Sequence, residues 1–224
     1  MQENKKNIDT TLMRFIQPSP TALEFINDDI PNIVDIELQN FAFFFELADL
    51  DETTKNELNS ILSEERRLPA ALGGYHGDYI GGLFDHTLLV VNYANFYSNS
   101  LEDKLWLRKA LLTAICHDFG KIHYYGYRLG LEDRKIQIHI SDAENVRLEL
   151  TSKFNLSGKD RHVENGIAVI RRYLTNYDLL FDDEMYLAIV YHHGPWSRYQ
   201  PHNFTKMSSL IHKADMKASQ EYKI

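Results

Sequence analysis

Cysteine is almost absent. Among 224 residues only Cys116 is present, so no internal disulfide can form and the fold is not a disulfide scaffold. A reducing compartment is adequate, and the cytoplasm is the expected location. Long apolar runs are missing as well. No stretch approaches the roughly 18–20 residues that a membrane-spanning helix requires, and the polar start Met1-Gln2-Glu3-Asn4-Lys5-Lys6 leads into no apolar signal segment. No membrane partner is expected. Basic charge is in deficit, with 24 Lys and Arg against 32 Asp and Glu for a net charge of -8. Broad, nonspecific binding to duplex nucleic acid is therefore disfavoured, and a polyanionic substrate has to be met by a metal or by locally gathered basic side chains. Internal repeats and low-complexity tracts are also lacking.

What is present reads as globular, because a hydrophobic fraction of 44% and a charged fraction of 25% suit a packed core and fit neither a disordered nor a fibrous chain. The length favours one domain with at most a small appendage. Residues 1–62 are assigned to that appendage: Pro18, Pro20 and Pro31 mark an irregular arm, and helices are expected over 33–50 and 51–62. Residues 63–224 form the main domain. Within it a loop carrying Gly73, Gly74, Gly77, Gly81 and Gly82 turns into a helix over 83–97, and a second helix over 101–117 stops at Gly120. The segments 122–127 and 135–140 flank Gly130, and the alternation Lys135-Ile136-Gln137-Ile138-His139-Ile140 predicts a small β-hairpin there rather than a continued helix. Ser141-Asp142-Ala143-Glu144 has the pattern of a capping box. Further helices are expected from Asp160 to about residue 173, from Asp182 to about 193, and over 205–219. The Phe41–Phe45 aromatic run and Cys116 read as core.

The chemistry is concentrated in a few dispersed residues. His117-Asp118, followed by Phe119-Gly120-Lys121, places an imidazole and a carboxylate side by side at a helix end, where both can reach one metal ion. Alone the dipeptide means little. His86 stands upstream in Gly81-Gly82-Leu83-Phe84-Asp85-His86, and Asp215 downstream in His212-Lys213-Ala214-Asp215, which gives the order His, His-Asp, Asp.

In that order the chain resembles the HD superfamily of metal-dependent phosphohydrolases, from about residue 69 to 219. The resemblance implies an all-α fold, an HD-domain helical bundle here with the small β-hairpin insertion, in which 63–224 is the catalytic domain. It implies a metal site of His86, His117, Asp118 and Asp215. Arg161-His162 and His192-His193-Gly194 resemble the extra histidines of two-metal members, so the resemblance also implies a second ion held by His162, His192 and His193, with Asp118 between the two. In motif wording the chain is closest to the 3′-to-5′ exoribonuclease branch, without that branch's OB domain. The Gly-Tyr-Pro signature of cyclic di-GMP phosphodiesterases is absent.

The implied cofactor is one or two divalent ions, Mn, Fe, Co, Ni, Zn or Mg. The implied reaction is attack of metal-activated water on a phosphate ester of a nucleotide or single-stranded nucleic acid. Asp118 and Lys121 are the candidate catalytic residues, although Lys121 is equally readable as an ordinary cation near a helix C-terminus. His76, Tyr124, Arg128, Trp196 and Arg198 are the candidate substrate-binding residues, and Arg134 and Arg161 are further candidates for phosphate. Two other classes remain open: a non-catalytic nucleotide- or metal-sensing HD module, separated from an enzyme by whether product forms, and a helical interaction module, which predicts no stoichiometric metal. The oligomeric state is open.

Overall fold

The computed structural model describes residues 38–98, 103–199 and 204–221. The proline-containing arm and the start of the helix expected over 33–50 lie outside these residues. The elements are α1 (Phe41–Leu47), α2 (Glu52–Glu65), α3 (Gly82–Ser98), α4 (Lys104–Cys116), α5 (Gly120–Arg128), α6 (Ile140–Phe154), α7 (Arg161–Tyr173), α8 (Tyr177–Leu180), α9 (Asp183–Tyr191) and α10 (Lys206–Glu221), with a 3-10 turn at Gly194–Trp196. No β-sheet forms among the described residues, and the fold is all-α. No helix among them is long and apolar enough to cross a membrane.

Helix α3 is the centre of the bundle. Its residues from Gly82 to Ala94 are buried on every side, polar Asp85, His86, Thr87 and Asn92 included, as expected of a helix that is apolar nearly all round and enclosed by others. Helices α2, α4 and α10 pack on it, and α9 packs on α4 and α10. Short carboxylate caps fix where several helices begin: Asp51 accepts the Thr54 N–H at 2.8 Å, Asp103 the Leu105 N–H at 2.9 Å and Asp182 the Met185 N–H at 3.1 Å. Each satisfies a backbone donor that the first turn leaves open. Lys109 on α4 also pairs with Asp182 at 2.7 Å, tying the start of α9 to α4. The aromatic run is core: Phe41, Phe44 and Phe45 are buried, and only Phe43 faces outward.

The expected hairpin is replaced by a helix and an extended strand-like stretch without a partner strand. Ile122 and Gly126, four apart, are the buried positions of the first segment, which is a helical and not an alternating period. The alternation in the second segment is real, since Ile136 and Ile138 are buried while Lys135, Gln137 and His139 are exposed. A side chain takes the place of the second strand: the Tyr173 hydroxyl accepts the Gln137 N–H at 2.9 Å and donates to the Gln137 carbonyl at 2.8 Å. The capping pattern at Ser141 is displaced toward the N-terminus, because Asp142 accepts the His139 N–H at 3.0 Å and the helix begins at Ile140.

Helices α5 and α7 touch backbone to backbone. A Cβ added at Gly120 would lie 1.6 Å from the His162 carbonyl oxygen, so no other residue fits there, and Gly166 lies on the other side of the same contact. This approach brings the His117-Asp118 corner against the first turn of α7. Gly120→Ala is therefore expected to cost more than overpacking ordinarily does, which is about 1–3 kcal/mol, and to lower the urea midpoint accordingly. A midpoint equal to that of the parent chain would show that this contact does not hold the two helices together.

Candidate metal centre

Ends of separate helices converge on one point. His117 is the C-terminal cap of α4, and its Nδ1 lies 2.7 Å from the Ala114 carbonyl. His192 caps α9 in the same way, with Nδ1 2.6 Å from the Ile189 carbonyl. A hydrogen bond to a carbonyl places the proton on Nδ1, and the Nε2 lone pair of each ring is left pointing inward. His162, on the first turn of α7, has Nδ1 2.7 Å from an Asp160 carboxylate oxygen and is oriented by the same logic. Three rings are thus turned with Nε2 toward the interior.

Two groups of donors result. His86, His117 and Asp215 offer atoms that all lie within 4.8 Å of one another, and so do His162, His192 and His193. Asp118 stands between them. Its Oδ2 is 3.6 Å from His86 Nε2 and 3.3 Å from His117 Nε2, while its Oδ1 is 3.6 Å from His192 Nε2 and 3.8 Å from His162 Nε2. One carboxylate oxygen therefore faces each group. In the second group Nε2 of His162 is 3.3 Å from Nε2 of His192 and 3.1 Å from Nε2 of His193, so three ring nitrogens crowd one point.

The buried atoms fit a cation. Nε2 of His117 and Oδ1 of Asp118 are inaccessible and have no hydrogen-bond partner, a costly arrangement unless something else is bound there. Nitrogen and carboxylate donors together suit a borderline divalent ion. Burial alone would raise the Asp118 carboxyl, but Lys121 and His117 outweigh it and hold the group well below the usual carboxylate range. Asp215 is likewise lowered against its burial, by His193 and His86. Burial, with His193 beside it, pushes His192 well below the usual imidazole value, and burial lowers His86. Both rings are thereby kept as neutral donors.

Lys121 does not lie near a helix C-terminus. It sits in the first turn of α5, its Nζ 2.6 Å from Asp118 Oδ2, and Asp118 more than offsets burial to keep it charged. A cleft of about 810 Å³ opens above the donors, and His76, Lys121, Tyr124, Trp196 and Arg198 line it together with His162 and His193. Tyr124 and Trp196 are 39% and 69% exposed, so neither ring belongs to the core. Arg128 is not in this cleft; it borders a neighbouring cavity. Burial lowers His76 to about 3, so its ring is uncharged at neutral pH.

With these donors in place, comparison with protein-family models matches the HD domain over residues 83–221. The chain belongs to the HD-domain family. That family is generally one of metal-dependent hydrolases, and the His and Asp groups described above could hold its metal. No curated protein and no solved structure matches the chain.

Several residues at the site carried no signal in the sequence. Asp160 orients His162, and a carboxylate two residues before a candidate His is the pattern that could have revealed it. His212 Nδ1 donates to the His192 carbonyl, 2.7 Å away, and a Cβ at Gly194 would strike its ring at 2.4 Å. The glycine after His192-His193 is thus needed for contact with α10, the helix that carries Asp215. Glu65, at the end of α2, is fully buried and its carboxyl is raised well above the usual range by that burial.

Replacing Asp118 removes the carboxylate whose two oxygens face His86 and His117 on one side and His162 and His192 on the other. Asp118→Ala is expected to bind less than half the metal of the parent chain by elemental analysis while its far-ultraviolet circular dichroism stays the same. Unchanged stoichiometry would overturn the assignment.

Proposed function

We propose that the chain is a divalent-metal-dependent phosphohydrolase acting on a phosphate ester of a nucleotide or single-stranded nucleic acid, with His86, His117, Asp118, Asp215, His162, His192 and His193 as the metal-holding residues. The observation that carries this reading is Asp118, a buried carboxylate with one oxygen toward each of two groups of inward-turned donors. A divalent ion bound there supplies Lewis acidity toward a phosphoryl oxygen and an acidified water. The residues of the chain do the rest. Lys121 sits in the cleft beside Asp118 and places a fixed positive charge where the phosphoryl oxygens must lie. Arg161 and Arg198 line the same cleft and form no ion pair among the described residues, which leaves both guanidinium groups available to phosphate. The buried, single Cys116 fits a reducing location, and we place the protein in the cytoplasm. The division at residue 62 is proposed on sequence grounds, with the later segment as the catalytic one.

The test is hydrolysis of bis(p-nitrophenyl) phosphate, nucleoside monophosphates and short single-stranded oligonucleotides by the full chain loaded in turn with Mn, Fe, Co, Ni, Zn and Mg. Turnover is expected with at least one ion, and Lys121→Ala is expected to lower kcat/KM by about 10²-fold with bound metal and melting temperature close to those of the parent. Stoichiometric metal without product from any substrate would overturn the enzyme reading in favour of a metal- or nucleotide-sensing module. Full activity in a folded Lys121→Ala chain would remove Lys121 from the reaction.

A further inference from the structure

A second cavity, of about 560 Å³, lies next to the metal cleft, within the roughly 300–1,000 Å³ range of small-molecule sites. It is enclosed by α5, the extended stretch 135–139 and the first turns of α6 and α7. Tyr124, Lys159 and Arg161 line both cavities, so the two compartments adjoin along one ring and two cations. Neither Lys159 nor Arg161 forms an ion pair among the described residues.

The chemistry of the second compartment differs from that of the first. Tyr127 and the aliphatic side chains of Ile138 and Ala143 line it, with the Asn165 amide, the His123 and His139 imidazoles and the Arg128 guanidinium as further polar groups. Arg128 too forms no ion pair among the described residues. Both carboxylates on the wall are engaged elsewhere: Glu144 accepts from Arg147 at 3.1 Å, and Glu164 accepts from the Tyr199 hydroxyl at 2.6 Å and from the Asp160 N–H at 3.2 Å. Aromatic and aliphatic faces beside an amide, two imidazoles and the Arg128 guanidinium, with Lys159 and Arg161 at the boundary, suit a planar heterocycle that stacks and hydrogen-bonds along its edge. A simple phosphate would leave the apolar surface unused. An alkyl chain would leave the amide and guanidinium unpaired in a partly desolvated place, at a cost.

We infer that the cavity beyond Tyr124 is a subsite for the nucleobase of a substrate whose phosphate lies in the metal cleft. This rests on the phosphohydrolase reading for the position of the phosphate, and it adds that the base is recognised, so that nucleoside phosphates are selected over phosphates of other alcohols. Lys159 and Arg161, shared by the two compartments, lie where the sugar-phosphate link crosses between them. Tyr124 is the dividing ring against which the base or sugar packs.

Equilibrium binding tests this without catalysis. The metal-loaded full chain is titrated calorimetrically with the non-hydrolysable 5′-methylenephosphonates of adenosine, guanosine, cytidine and uridine, and with the base-free ribose 5-methylenephosphonate. At least one nucleoside analogue is expected to bind tenfold or more tighter than the base-free one. In Ala143→Trp, which fills the cavity, and in Arg128→Glu, which reverses an exposed charge on its wall, that ratio is expected to fall to within about twofold of unity. The second variant carries the test if the first does not fold. No preference for any base in the parent chain, or a preference unchanged in a folded variant, overturns the subsite. Hydrolysis of bis(p-nitrophenyl) phosphate by the same protein stock reports separately on the phosphohydrolase reading: turnover without base preference sinks the subsite alone, and base preference without turnover sinks the enzyme alone.

Discussion

Asp118 is buried between two groups of imidazoles, and the centre of the molecule is organised around the charge it carries. A second buried carboxylate, Asp215, lies 3.1 Å from His86. Among the described residues Lys121 supplies the one ammonium in contact with either of them, at Asp118. Removing two carboxylates from water is expensive unless charge and hydrogen bonds are returned to them. The surrounding rings do this poorly as neutral groups, and burial keeps His86 and His192 neutral. Asp118 pulls the other way on His117, raising it against its burial. A proton on His117 and a divalent cation among the Nε2 atoms are thus alternative answers to the same excess of negative charge. The cation answers it better, since it also satisfies nitrogens that otherwise face one another.

That electrostatic requirement makes the backbone around it exacting. The donors come from α3, α7, α10 and the ends of α4 and α9, so each must arrive with its ring already turned. Carbonyls one turn back orient His117 and His192, and a neighbouring carboxylate orients His162. Such partners fix both tautomer and direction. The close contacts at Gly120 and Gly194 serve the same end, the first seating the Asp118 corner on α7 and the second seating the His192-His193 corner on α10. Rigid packing of helices around the site is what holds these buried donors at one point.

The residues that could be read from the chain were those whose chemistry survives without context. His86, His117, Asp118 and Asp215 stand in an order that resembles a known family, and the structure brings them and the three further histidines to one place. Helix limits marked by Asp51, Asp160 and Asp182 were also legible, because a short polar side chain before an apolar period has one main use. The helix limit at Asp160 was legible but its orienting of His162 was not, and His212 and Glu65 were not legible because neither carries a spacing signal. The stretch 122–140 failed for a more specific reason. Its two halves carry different periods, four in Ile122 and Gly126 and two in Ile136 and Ile138, and the partner of the alternating half is a single tyrosine hydroxyl. Periodicity reports which face is buried, not what supplies the hydrogen bonds.

Reading that first half as a helix also changes what it can do. Lys121, Tyr124 and Arg128 fall at i, i+3 and i+7, which is one face of α5. Lys121 touches Asp118, Tyr124 lines both compartments and Arg128 borders only the outer one. Seven residues of helix span about 10 Å, so a single short rigid element carries a cation beside the metal donors, a dividing ring and a distal guanidinium in fixed order. A strand would have sent Tyr124 and Lys121, an odd number apart, to opposite faces. In a chain of net charge -8, gathering Lys121, Arg128, Lys159, Arg161 and Arg198 around two adjoining cavities makes a local positive field against an acidic background. Such a field attracts an anion to this mouth. The helix then sets the distance at which the rest of that anion must be recognisable.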